Sequence, residues 1–272
     1  MLRVLSLGAG VQSSTLALMI EKGEVPMVNC AVFSDTMGEP KAVYEWLEWL
    51  KKQLSYPVYT VSKGNLKQDM LNGLKNNTRY SSIPFYTKNE NKNTKGILWR
   101  QCSADYKIVP INQKVRELLG LKKRQKAKKD KQVEMLMGIS YDEIIRMKMN
   151  RLPYITNIFP LIDLEMKRHD CVEWMKKHNY PSPPRSACTF CPYHSNAEWR
   201  EIKKNKEEWK EVLELDKMIR DQEKFKNSQS GAVVDKLYLH RDCVPMDEVD
   251  LRTDEERGQM SFLDECDGIC GV

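Results

Sequence analysis

An α/β fold with a parallel sheet wound on both faces is the architecture this sequence predicts, from three observations. Strand-length apolar runs alternate with helix-length runs between Leu2 and Val61. The connections between them are short, and two turns rich in Gly, Ser and Asp fall where strands should end. Such alternation implies βαβ units, whose ligands bind beyond the carboxyl ends of the strands.

In chain order, residues 2–5 read as a strand and residues 13–22 as a helix, followed by a second strand over residues 28–33. A helix over residues 41–54 places Val43, Trp46, Leu47 and Leu50 on one face, and residues 57–61 form a third strand. Residues 72–96, rich in Asn, Lys, Ser and Thr, read as a long loop. A helix is expected over residues 108–119, a strand over 132–139, and a short helix over 163–178. A long charged amphipathic helical region covers residues 196–225, and the sequence from Ser228 onward is low in regular pattern. The division expected is an α/β nucleotide-binding domain over residues 1–180 and a small helical region over 181–272 that carries the later cysteines.

Composition narrows the function classes. The 272 residues, 41% hydrophobic, suffice for one sizeable α/β domain with an appendage. No apolar run approaches membrane-spanning length, and the apolar start is broken by glycines and a serine, so a cytoplasmic protein with no membrane partner is expected. Eight cysteines in such a chain point to metal, cluster or redox chemistry rather than a disulfide framework. The net charge is +6, and the run from Lys122 to Lys131 holds seven cations and one anion. It reads as a solvated loop; it could also hold a nucleic-acid backbone, but no aromatic residue is interleaved to stack bases.

The most informative stretch is Ser6-Leu7-Gly8-Ala9-Gly10-Val11-Gln12-Ser13-Ser14-Thr15. Strand, glycine turn and helix start in that order make a phosphate cradle, because the first-turn N–H groups and the helix dipole both favour an anion. The spacing is neither G-x-G-x-x-G nor a Walker A loop. Phe33-Ser34-Asp35-Thr36 follows the second strand, with Asp35 suited to a ribose or metal-bound phosphate, or to a local Asx turn. Gly138 ends a later strand, Ser140 with Glu143 reads as a capping box, and Arg146 is suited to bidentate anion recognition. Cys188-Thr189-Phe190-Cys191 can hold one metal from a tight turn.

Residues 8–13 resemble the PP-loop, S-G-G-x-D-S, of the adenine-nucleotide α-hydrolase-like superfamily, with Gln12 where many members carry Asp. The Asp35-Thr36 turn, the Gly138-to-Arg146 segment and the run from Pro160 through Trp174 are similar to segments of phosphoadenosine phosphosulfate (PAPS) reductase-like proteins, of the compact phage and bacterial type. The resemblance implies a Rossmann-like fold and an adenine nucleotide (PAPS, adenylyl sulfate, or ATP with Mg) across Ser6, Gly8, Ala9, Gly10, Gln12, Ser13, Ser14, Phe33, Ser34, Asp35, Thr36 and Gly138. Lys107 and Arg146 would lie at its anionic end. Cys102 in Arg100-Gln101-Cys102, with Cys188 and Cys191, resembles the [4Fe–4S] ligand set of adenylyl-sulfate reductases with one ligand missing. An open iron, a tail cysteine, or zinc held by Cys102, Cys188, Cys191 and His194 each complete that set. Glu265-Cys266 and Cys270 resemble the reductase tail, whose thiolate attacks the sulfonate and is regenerated by a thioredoxin-like reductant. The resemblance also admits an ATP-dependent sulfurtransferase acting on a nucleobase of tRNA or DNA.

Overall fold

The computed structural model describes residues 1–76, 78, 81–89, 92–122, 124–127, 132–221, 236–252 and 256–257. In chain order the elements are β1 (Leu2–Leu7), α1 (Val11–Glu21), β2 (Cys30–Asp35), α2 (Lys41–Gln53), β3 (Val58–Ser62), α3 (Leu66–Lys75), β4 (Tyr86–Asn89) and β5 (Thr94–Ile97). After a π-helical turn (Ala104–Ile108) come α4 (Val109–Leu118), β6 (Val133–Met137), a 3-10 turn (Tyr141–Arg146), β7 (Ile155–Ile158), α5 (Pro160–Asp163) and α6 (Arg168–Lys177). The chain continues through α7 (Asn196–Lys204), α8 (Lys206–Arg220) and β8 (Lys236–Tyr238).

These elements form two compact units. The first takes Met1–Lys63 and Tyr106–Ser186; the second takes the described residues of Gly64–Asp105 and Ala187–Ile269. Among the described residues the chain passes between these units three times; the sequence reading has one boundary near residue 180.

In the first unit β3-β2-β1-β6-β7 make a five-stranded sheet, parallel at every pairing. This is the α/β sheet that the strand and helix alternation predicts. Val4 and Leu5, fully buried and successive in β1, point to opposite faces and enter two separate cores. On one face Leu5, Leu7 and Phe33 pack with Leu16, Ile20, Trp46, Leu47, Leu50 and Met175 from α1, α2 and α6. On the other, Val4 and Val32 pack with Ile111 and Val115 from α4. α1 is buried along Leu16-Ala17-Leu18-Met19-Ile20, so it is apolar all round rather than amphipathic. β7, which the sequence reading does not contain, is short and carries Thr156 and Asn157 at its centre; its place at the sheet edge suits such a strand.

The second unit holds a three-stranded antiparallel sheet, β5-β4-β8. The loop expected over residues 72–96 is corrected here: the segment contains the end of α3, β4 and β5. Its Asn and Lys content suits a hairpin with an exposed edge, and all four residues of β5 are exposed. The helix expected over 163–178 is α6, which starts at Arg168, with the separate short helix α5 ending at Asp163; the region 196–225 divides at Asn205, whose side chain caps α8 by accepting from the Glu207 and Glu208 N–H groups. No helix among the described residues is long and apolar enough to cross a membrane.

Candidate functional site

β1 ends at Leu7, and Gly8, Ala9 and Gly10 turn the chain into α1. Ala9 sits at φ +57, in the left-handed region, with its methyl fully buried. Gly10 is the N-cap and offers no side chain, so the first-turn N–H groups of α1 have no side-chain cap from that position. Ser13 Oγ accepts from the Gly8 N–H at 3.2 Å and donates to the Gly10 carbonyl at 3.3 Å, closing the turn on itself. Chain order reverses between β1 and β6, which makes their carboxyl ends the topological switch point of the sheet. Gly138, just after β6, lies there: a Cβ at that residue would stand 2.6 Å from Ser13 Cα and 2.8 Å from Ser13 N. Only glycine allows this approach of backbone to helix start.

The remaining hydroxyls nominated by the sequence are engaged by the fold. Ser6 lies in β1, in register with Val32 and Met137. Ser14 is fully buried and accepts from Trp46 Nε1 at 2.9 Å; Ser34 donates to the Tyr106 carbonyl at 2.7 Å. Phe33 is a core residue, and Thr36 is buried. Asp35 makes the Asx turn: its Oδ1 accepts from the Met37 N–H at 2.7 Å and from Tyr44 OH at 2.9 Å. Burial and the neighbouring Asp35 both raise the Tyr44 phenol, which keeps it a donor. Lys107 pairs with the fully buried carboxylate of Glu39 at 3.2 Å, and Ser186 donates to the same carboxylate at 3.4 Å.

A charged group closes the switch point. Gln12 donates to Glu143 Oε2 at 3.2 Å and to Ser140 Oγ at 3.5 Å, while Arg168 Nη1 donates to Gln12 Oε1 at 3.2 Å. Arg146 Nη1 stands 2.7 Å from Glu143 Oε2. Burial raises the Glu143 carboxyl, and Arg146 opposes that shift. The capping box expected of Ser140 and Glu143 is corrected by this arrangement. Ser140 makes no side-chain cap bond, because its hydroxyl faces Gln12 and the Glu143 carboxylate turns to Gln12 and Arg146.

No family model matches the chain, and no curated protein matches it. Among solved structures it is similar to phosphoadenylyl-sulfate (PAPS) reductase from Candida auris, determined as a phosphate complex. The likeness covers 66% of this chain and 74% of that one, at 13% identity and a TM-score of 0.42.

Cys102, Cys188 and Cys191 all belong to the second unit. The Cys191 N–H donates to the Cys188 carbonyl at 2.9 Å, which makes the C-x-x-C segment a tight turn. Cys102 lies two residues before the π-helical turn, with its N–H on the Ser82 carbonyl at 3.2 Å. His194 directs Nε2 to the Cys188 carbonyl at 2.8 Å and holds Nδ1 3.7 Å from Glu198. Among the described residues no group of three or more His, Cys, Asp or Glu side chains is placed to hold a metal ion. Cys102, Cys188, Cys191 and His194 are therefore not gathered into a metal-ligand set by themselves. Cys266 and Cys270 lie outside the described residues, as do Lys123 and residues 128–131 of the basic run.

Two other cysteines are structural. Burial pushes the Cys30 thiol to about 11 and the Cys171 thiol to about 12, so neither is a thiolate near neutrality. Glu39 and Arg168 stand beside residues of the candidate site, and neither is singled out by motif reading. Glu39 lies inside the second turn and Arg168 opens α6, but their charge alone does not reveal that one is buried and the other reaches Gln12.

Proposed function

We propose that the first unit binds the anionic end of an adenine nucleotide at residues 8–12 and that the protein is a PAPS-reductase-like sulfonucleotide reductase. The observation that carries this reading is the packing of Gly138 against Ser13, which draws the two central strand ends together beside an α1 N-terminus capped by glycine. Helix start, glycine turn and switch point coincide, and each favours a bound anion. Arg146, Arg168 and Lys107 supply cations in the same unit: Arg146 pairs with Glu143 and Lys107 with Glu39, while Arg168 donates to the neutral Gln12 amide. An incoming sulfate or phosphate competes with Glu143 for Arg146, and burial, which already disfavours the Glu143 carboxylate, eases that exchange.

The chemistry proposed is thiol-based. A Cys266 thiolate attacks the sulfonate sulfur; the new S–S bond forms as the S–O bond to the nucleotide breaks, and the nucleoside phosphate leaves with the electron pair. Cys270 then attacks Cys266 Sγ, expelling sulfite and leaving a Cys266–Cys270 disulfide, which a thioredoxin-like dithiol reduces. The test is single-turnover sulfite release from PAPS by the reduced protein. Cys266→Ser should abolish release, while Cys270→Ser should trap a protein-bound sulfonate visible by mass spectrometry. Full activity in the double variant would overturn the tail chemistry. Pyrophosphate release from ATP, with thiolation of a nucleobase, would establish the sulfurtransferase instead.

A further inference from the structure

We propose that the three-stranded sheet of the second unit is a binding face for single-stranded nucleic acid. The strand register sets Lys95 opposite Lys88 and Lys88 opposite Lys236, so three lysines on adjacent strands form one row across the sheet. Neighbouring strands lie about 4.8 Å apart, and like charges directly opposite one another destabilise a sheet. Folding alone gives no reason for such a row. Among the described residues neither Lys88 nor Lys95 is in an ion pair; Lys95 donates instead to the neutral carbonyl of Asp242 at 3.0 Å.

The next row on the same face is Ile97, Tyr86 and Tyr238, again in direct register; Ile97 is exposed, Tyr86 half-buried and Tyr238 buried, so the face is open along β5 and closed along β8. The opposite face carries Thr87 and Leu237, both buried. The exposed strand β5 is the sheet edge, and the Leu98 N–H bond to the Phe85 carbonyl at 2.9 Å carries the ladder one residue beyond it. Trp99 follows, 82% exposed, and Arg100 lies over the Tyr193 ring at 5.9 Å.

Cations in a row hold phosphates by releasing counterions, and an exposed indole offers a flat face on which a base can stack. A duplex keeps its bases paired and stacked, so this pairing of features selects a single strand. The run from Lys122 to Lys131 has cations without an aromatic; the sheet has both. The inference does not depend on the nucleotide reading of residues 8–12.

Anisotropy of fluorescein-labelled oligo(dT) titrated with the full chain tests it. Binding that weakens with salt is expected. Replacing both Lys88 and Lys95 by Gln should lower affinity roughly tenfold and reduce the salt slope by about 1.4, two phosphate contacts' worth. Trp99→Ala should lower affinity at least about fivefold with the slope unchanged, since stacking carries no counterion. These residues are on the surface, and an unaltered circular dichroism spectrum checks the fold. The proposal is overturned by an unchanged affinity in Trp99→Ala, by a duplex competing as well as the single strand, or by anionic vesicles binding with the same Trp99 dependence. Loss of binding only when the lysines of residues 122–131 are neutralised overturns it equally.

Discussion

The turn at residues 8–12 and the segment around His240 are held in opposite ways. The first is fixed by backbone approach: Gly138 lies against Ser13, Ala9 takes a left-handed conformation, and the Ser13 hydroxyl closes the loop by bonding the main chain of Gly8 and Gly10. The second, in the other unit, is fixed by buried polar side chains. Asp216, almost wholly buried, accepts from the Met246 N–H at 3.0 Å, from Arg220 at 3.1 Å and from the Leu239 N–H at 3.4 Å. His240, also buried, pairs Nε2 with Asn196 Oδ1 at 2.9 Å and receives the Asp242 N–H on Nδ1 at 3.1 Å. A site made of backbone is sensitive to added volume. One made of buried titratable groups is sensitive to charge and pH.

That contrast can be broken most sharply at Gly138. The alanine methyl would fall at 2.6 Å from backbone that cannot rotate away, so Gly138→Ala should destabilise by about 3 kcal/mol, measured by urea denaturation. If the loop is the anion site, the same variant should lose nucleotide binding even at concentrations of denaturant-free, folded protein verified by circular dichroism. At Asp216 the cost comes from orphaned donors. Asp216→Ala leaves the Met246 and Leu239 N–H groups without their acceptor, and a loss of about 2 kcal/mol is expected, with nucleotide affinity unchanged.

The third effect is a pH dependence. Burial lowers His240 from 6.5 to about 4, so the unfolded chain binds the proton more readily than the folded one. Its contribution to stability is complete above about pH 6.5 and is lost as the pH falls towards about 4. Asp216, raised by burial, acts in the opposite sense. The His240 component is therefore read as the difference in melting temperature between wild type and His240→Gln across pH 7 to 4, narrowing as the pH falls. A constant difference would contradict the burial of a neutral imidazole.

Much of the first unit is legible in the sequence because its signals are local. Val43, Trp46, Leu47 and Leu50 declare α2 by spacing, and the glycine turn marks the start of α1 to within a few residues. What escapes is what depends on distance along the chain. Nothing near Gly138 announces Ser13, and Arg168 is 156 residues from the Gln12 carbonyl it reaches. In the second unit the hairpin is masked by Asn and Lys, residues that suit an exposed edge strand as well as a loop. Its lysine row exists only once three strands are in register, and Asp216 and His240 look like ordinary surface residues until burial is known.

The most direct test is calorimetric titration of the intact protein with PAPS, ATP and adenosine, repeated on Gly10→Asp, which sets a carboxylate at the N-cap of α1, where a Cβ has room. The phosphorylated ligands should bind, adenosine should not bind measurably, and Gly10→Asp should lose at least about tenfold in affinity, the equivalent of about 1.4 kcal/mol. Adenosine binding as tightly as PAPS, or an affinity for PAPS unchanged in Gly10→Asp, would contradict an anion site at residues 8–12.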